Sequence, residues 1–198
     1  AQFTPGAGNW CTWMFGRDLV NWNNNFTWAK WVTPSRDLIS TFKQEGDEVR
    51  FKESVVYYDC GWSNYYPSDN YPFMYKCRSA NSSIIKYRYA DVLLLKAEAL
   101  IMQDTPDLEG AADIIDEVRD RAKLGALSSS TRSNKDALLN ALLKERRLEL
   151  AFEGQRWFDL VRLDKVEEVM NAVHAKDSGR KAQVYTYDKN SYRLPIPQ

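Results

Sequence analysis

Three stretches of helical hydrophobic periodicity most constrain the fold of this chain. Apolar residues recur every three or four positions in residues 83–101, 106–122 and 138–152, a spacing that lines one face of an α-helix. Only a short link separates the first two stretches, which favours an antiparallel helix pair. The predicted buried stripes of this pair are Ile84, Tyr87, Leu94 or Leu95, Ala97 and Ile101, then Ala111, Ala112, Ile115, Val118 and Ala122.

Helix start and stop signals give the other boundaries. Thr33 and Pro34 suit a cap and a first helical position, which predicts a short helix at 34–45 that ends at Gly46. Thr105-Pro106 begins the second member of the pair. Residues 133–136 (SNKD) resemble a capping box for a helix that closes at Gly154, and 155–163 and 164–173 read as two shorter helical segments.

The chain divides into three predicted parts. Residues 1–82 form an aromatic-rich segment of loops and short strands around the helix at 34–45, and residues 83–173 form a helical region. Residues 174–198 form a hairpin or extended arm, because apolar and polar residues alternate at 184–187 before a turn at 188–191. The fold class is therefore mainly α. The helix pair has the length of one tetratricopeptide-like unit, although one unit does not make a repeat array.

Charge and hydropathy exclude some functions. The chain has 27 basic and 27 acidic residues, so no surplus positive charge favours nucleic acid or an anionic membrane. No apolar run approaches the ~20 residues of a membrane helix. A single histidine, His174, excludes a His-x-x-x-His zinc site, and we expect it to face solvent near a helix end rather than to act as a catalytic base. Cys11, Cys60 and Cys77 allow one disulfide, and no cofactor is predicted.

The amino-terminal third carries six of the seven tryptophans. Indole and phenol rings stack on the apolar faces of pyranoses while amides bind hydroxyls, so Trp combined with Asn indicates a sugar platform. The alternative is that most rings fill a core, which we favour for Trp28, Trp31 and Trp157. The predicted glycan-binding residues are Trp10, Trp13, Trp22, Asn23, Asn24, Asn25, Trp62, Asn64, Tyr65 and Tyr66.

Glutamates stand four residues apart at Glu145, Glu149 and Glu153. Either two of them act as the acid and base of glycoside hydrolysis, or all belong to a structural charge network. Neighbouring arginines lower a carboxyl pKa, whereas a hydrolase acid needs a raised one, so we favour the network, partly buried and packed under Trp157 and Phe158. Its predicted members are Glu145, Arg146, Arg147, Glu149, Glu153, Arg156 and Asp159.

Three of these stretches carry a resemblance to a known family. Residues 87–99 (YRYADVLLLKAEA), 115–122 (IDEVRDRA) and 145–160 (ERRLELAFEGQRWFDL) follow in this order. Weaker matches are Thr33-Pro34 with its helix, residues 47–50 (DEVR) and residues 194–198 (LPIPQ). The chain resembles the C-terminal part of the SusD/RagB family, the surface glycan-binding lipoproteins of Bacteroidetes.

The resemblance implies a helical SusD-like C-terminal region and binding of polysaccharide or oligosaccharide without catalysis. It also implies a longer parent protein, lipid-anchored at the outer-membrane surface, that delivers glycan to a SusC-like TonB-dependent transporter. Cys11 does not resemble a lipid-anchoring cysteine. The alternatives are a glycoside hydrolase using Glu149 and Glu153, or a tetratricopeptide-type protein-binding scaffold. Such a scaffold should concentrate exposed aromatics on residues 84–124, where tryptophan is absent.

Overall fold

The computed structural model describes residues 33–58, 71–76, 85–177 and 186–192. These residues form eight α-helices, a two-stranded sheet and one 3₁₀ turn, which confirms the predicted mainly α fold. They fall into two compact units, one up to Glu153 and one from Gly154. The units meet at neither of the predicted boundaries, 82/83 and 173/174.

The first unit opens with two short helices, α1 (Arg36–Glu45) and α2 (Glu48–Ser54). The predicted cap of α1 is wrong by two residues, because Ser35 Oγ, not Thr33, accepts the amide hydrogen of Leu38 at 3.1 Å. Gly46 ends α1 as predicted, with a φ of 68° that glycine adopts without strain. Helix α2 was not predicted; Asp47 caps it through the amide of Arg50.

A small antiparallel sheet follows α2. Strand β1 (Val55–Tyr58) pairs with β2 (Tyr71–Met74), so that Val55 lies opposite Met74 and Phe73 opposite Val56. Tyr71, Phe73 and Met74 are buried. The sheet agrees with the short strands predicted for this part of the chain.

Helices α3 (Tyr89–Met102) and α4 (Leu108–Arg121) form the predicted pair, each beginning two or more residues later than expected. Asp107 caps α4 by accepting the amide hydrogen of Gly110. The predicted α4 stripe is confirmed, since all five residues are buried. On α3 the stripe is wrong at Tyr87, which is 78% exposed just before the helix, and it runs through Leu94 rather than Leu95. Ile84 lies outside the described residues.

A short helix, α5 (Ser129–Arg132), leads into α6 (Lys135–Glu149). The cap of α6 is Asn134, whose Oδ1 accepts the amide hydrogen of Ala137 at 2.9 Å, so Ser133 is not the capping residue. The helix stops at Leu150, and the following turn ends at Gly154 with a φ of 80°. The main core joins α3, α4 and α6 through Leu94, Ala97, Ile101, Ala111, Ala112, Ile115, Val118, Leu138 and Leu142.

A second cluster lies between α1 and the carboxyl end of α6. It contains Leu38 and Phe42 from α1 with Leu148 and Ala151, and Phe51 packs against it. The rings of Phe42 and Phe51 lie 5.6 Å apart. Because this apolar contact fixes α1 and α2 beside α6, polar residues of α2 reach the last two turns of α6.

The second unit contains α7 (Arg156–Arg162), α8 (Val166–Asp177) and a 3₁₀ turn (Lys189–Tyr192). The Asn171 side chain binds both the amide and the carbonyl of Tyr187, at 2.8 and 3.0 Å. Residues 174–177 are helical, so the predicted arm does not begin at 174, and the described residues 186–192 contain no strand.

Candidate functional site

The ten predicted glycan-binding residues all lie outside the described residues, as do Cys11, Cys60, Cys77, Trp28 and Trp31. The sugar platform therefore stays a prediction. Of the chemistry-bearing motifs singled out in the sequence, the structure describes the glutamate series and its surroundings.

Glu145, Glu149 and Glu153, which we call the carboxylate ladder, lie along the last turn of α6 and the turn after it. The four-residue spacing places them on one side of the helix. Glu145 is 1% and Glu149 3% exposed. Burial of three like charges at this spacing requires cations on the facing elements.

The first of these cations is Arg50 from α2. Its Nη1 donates to Glu145 at 2.6 Å and to Glu149 at 3.1 Å, and its Nε donates to Asp47 at 2.5 Å. Arg119 of α4 contacts the other oxygen of Glu145 at 3.4 Å. Within the described part of the chain, Nη2 of Arg50 is buried without a hydrogen-bond partner.

Arg88, the residue before α3, joins the other two rungs. Its Nη1 donates to Glu149 at 2.5 Å, while Nε and Nη2 form a bidentate contact with Glu153 at 2.8 and 2.9 Å. Arg121 also pairs with Glu149, and Lys76 pairs with Glu153 at 2.5 Å. Arg88 and Lys76 additionally donate to the backbone carbonyl of Glu149, which satisfies one of the free carbonyls at the end of α6.

The two buried glutamates differ in their pKa. Burial alone would raise the pKa of Glu149, but hydrogen bonds and charge from Arg88, with Arg121 and Arg50, lower it to about 2. Burial raises the pKa of Glu145 above its usual value against the opposing charges of Arg50 and Arg119. Burial also lowers the pKa of Lys76. The ladder thus holds Glu149 firmly ionised and Glu145 less so.

The five cations around the ladder lie outside the 145–160 motif, contrary to the expectation that its own arginines are interleaved with its acids. The motif's arginines reach other partners: Arg146 binds Asp91 at 2.9 Å and Arg147 binds Asp37 at 2.6 Å. Sequence reasoning did not assign Arg50, Lys76, Arg88, Arg119 and Arg121 to the network. All but Lys76 lie in stretches that carried the family resemblance, which was the available signal.

In the second unit, Asp159 is buried and pairs with Arg162 at 2.8 Å. Arg156 is half-buried on α7. Trp157 is half-buried with its ring 6.5 Å from that of Tyr187. Phe158 is 64% exposed, so it does not cover the network as expected. His174 is buried, which makes its predicted exposure wrong.

Two further properties hold for the described residues only. None of their helices combines the length and apolar character that crossing a bilayer requires. Nor do their histidine and acidic side chains group in threes that suit a metal ion.

Residues 68–198, two thirds of the chain, match the model of the SusD family. The chain belongs to the SusD family. This confirms the resemblance that the 87–99, 115–122 and 145–160 stretches indicated.

Curated relatives of this SusD-family chain include two proteins of Formosa agariphila. SusD-like protein P38 is 41% identical over 106 residues, which are 50% of this chain and 21% of P38. SusD-like protein P2 is 35% identical over 125 residues, which are 61% of this chain and 24% of P2. The matched part is therefore about a fifth to a quarter of each relative.

A crystal structure of a SusD superfamily protein from Bacteroides vulgatus shares the fold. Its TM-score is 0.56 at 22% identity, and the match covers 78% of this chain and 39% of that protein. At this identity the similarity concerns the fold alone.

Proposed function

We propose that this SusD-family chain takes part in binding a polysaccharide or oligosaccharide without performing chemistry on it. The observation that carries the proposal is the family match over residues 68–198. The aromatic and amide-rich composition of residues 1–66 supports it, because stacking rings and amides suit sugars. The parent protein would act at the outer-membrane surface, lipid-anchored, and deliver glycan to a SusC-like TonB-dependent transporter.

The proposed binding residues remain the tryptophans, tyrosines and asparagines in the aromatic-rich segment. A ring that covers roughly 100 Å² of sugar contributes about 2.5 kcal/mol, while association costs on the order of 4–15 kcal/mol. One ring is therefore insufficient, and several in an arc would favour an oligosaccharide over a monosaccharide.

The carboxylate ladder supports a non-catalytic role. A retaining or inverting glycosidase needs one carboxyl group that holds a proton near neutral pH. Arg88 contacts both Glu149 and Glu153, further cations contact each, and the pKa of Glu149 is lowered to about 2. Glu149 is thus unsuited to donate a proton, which weighs against the hydrolase alternative.

One observation favours the scaffold alternative more than the sequence did. Tyr87 and Tyr89 are 78% and 72% exposed at the start of α3. The helix pair therefore presents aromatic side chains even though it lacks tryptophan. We develop the neighbouring apolar surface separately below.

Binding of an oligosaccharide panel, measured by calorimetry, tests the proposal. The variants Trp22→Ala and Trp62→Ala should each weaken binding about tenfold or more, since each removes a stacking ring. Phe158→Ala is the control, because it removes an exposed ring from the second unit. Equal affinity in all variants would remove the site assignment. Absence of binding, or release of shortened products, would contradict the function itself.

A further inference from the structure

Helix α3 carries apolar side chains on two faces. Leu94, Ala97 and Ile101 on the inner face are fully buried against α4 and α6. On the outer face, Val92 is 53%, Leu95 37% and Met102 52% exposed. A surface helix normally places polar residues opposite its buried face, and a helix that is apolar all round is an interior helix.

The exposed residues follow the spacing of a helix-packing surface. Val92, Leu95, Ala99 and Met102 are separated by three, four and three positions, which is the a/d pattern by which two helices pack side by side. Ala99 is exposed in the middle of this row, where a small side chain permits a close approach. We call these four residues the outer seam of α3. Tyr89, 72% exposed, lies beside its first turn.

The size of this surface also indicates a partner. With Tyr87 and Tyr89, the seam exposes roughly 400–600 Å² of side chain, comparable to the largest apolar patch of a typical monomer, which is often functional. That area is about half or more of one side of a standard protein interface. A packed helix would bury it.

The charge beside the seam disfavours a second copy of this chain as the occupant. Lys96 is exposed and lies within one residue of the midpoint of the seam. Two antiparallel α3 helices related by a two-fold axis would place this lysine next to its counterpart. Like charges held together at an interface oppose association.

The comparisons indicate where the occupant lies. The match covers 39% of the Bacteroides vulgatus protein and 21% of SusD-like protein P38, so most of each of those chains has no counterpart in the matched region. We propose that the outer seam of α3 is an internal interface of SusD-family proteins, filled by an amphipathic helix from the part of the family chain that this chain does not match. The inference does not depend on glycan binding.

Site-specific thiol labelling tests this interface. Val92→Cys is made in this chain, and cysteine is placed at the position of full-length SusD-like protein P38 that matches Val92 in the family model. Native labelling rates, read by peptide mass spectrometry so that other cysteines are separated, are divided by the rates in denaturant. Met102→Cys repeats the measurement at the other end of the seam, and Lys135→Cys, exposed on α6, gives the rate of an open helix position.

In this chain we expect the seam cysteines to label within about tenfold of the Lys135→Cys rate. In P38 the matching cysteine should label about 100-fold or more slowly, because the covering helix must first open. Rapid labelling in P38 would overturn the proposal. Slow labelling in this chain would overturn it as well: if the rate falls with rising concentration the occupant is a second copy, and if it does not, the chain covers the seam itself.

Discussion

At the scale of single residues, the decisive feature is the burial of charges that different elements bring together. Arg146 is 1% exposed and its Nη2 lies 2.9 Å from Asp91, which is itself 2% exposed. A buried ion pair contributes modest net stability when intact, whereas removal of one partner strands the other charge. The same logic applies to each rung of the carboxylate ladder.

The Arg146–Asp91 pair gives the first prediction. Arg146→Met should lower the free energy of unfolding by about 3–5 kcal/mol, because the Asp91 carboxylate loses a buried cation. Adding Asp91→Asn should recover part of that loss, since the stranded charge disappears. Urea unfolding followed by circular dichroism measures both. A double variant no more stable than Arg146→Met would argue against the stranded-charge explanation.

The ladder glutamates give a matched pair of variants. At pH 7, Glu149→Gln should cost on the order of 2–3 kcal/mol, because a pKa lowered from 4.5 to about 2 means that the folded protein stabilises the charge. Glu145→Gln should cost clearly less, because burial raises the pKa of Glu145 and so opposes its ionised form. The same urea titration decides the order. Equal losses, or the reverse order, would contradict the assignment.

At the scale of elements, short polar signals set the helix ends and packing sets their faces. Ser35, Asp47, Asp107 and Asn134 each accept an amide hydrogen from the first turn of a helix. In three of the predicted helices the cap lies one or two residues after the predicted start. A first-turn proline or a Ser-x-x-Asp pattern thus indicated the neighbourhood of the cap but not the residue.

Two alanine variants before α6 test this boundary. Asn134→Ala should reduce stability by about 1 kcal/mol, since Ala137 loses its capping acceptor. Ser133→Ala, the adjacent exposed position, should change it by less than about 0.5 kcal/mol. Thermal unfolding of the two variants side by side is sufficient. A larger effect at Ser133 would restore the sequence-based cap.

At the scale of the whole molecule, the ladder connects distant parts of the first unit. Arg50 from α2, Arg88 from the start of α3, and Arg119 and Arg121 from α4 converge on the end of α6. The elements are therefore linked by charge at one end and by the apolar core along their length. Acid should weaken the fold through the same groups.

The pH dependence of this linkage can be predicted. The folded pKa of Glu149 lies below its unfolded value, so its contribution is complete above pH 4.5 and is lost as pH falls toward 2. In that window the stability difference between the native sequence and Glu149→Gln should shrink by up to about 1.4 kcal/mol per pH unit. Glu145, whose pKa is raised, acts in the opposite direction and is present in both proteins. A difference that stays constant from pH 5 to pH 2 would contradict the prediction.

Much of the helical fold was predictable because its determinants are local. The 3.6-residue periodicity identified the α4 stripe and the core face of α6, and Gly46 and Gly154 marked two chain reversals where φ is positive. Helix α2 was missed because seven residues carry too little periodicity. The burial of His174 was also missed, because a polar sequence neighbourhood does not report which elements pack above a side chain.

By itself the sequence determined the helical class, the family stretches and the ladder of acids, since periodicity and motif spacing are properties of consecutive residues. Only the tertiary structure decided which cations meet those acids: Arg50 lies 95 residues from Glu145, and Arg88 lies 61 from Glu149. It also decided that α3 keeps a second apolar face exposed. Both outcomes depend on contacts between residues far apart in the chain, and those contacts form only when the helices pack together.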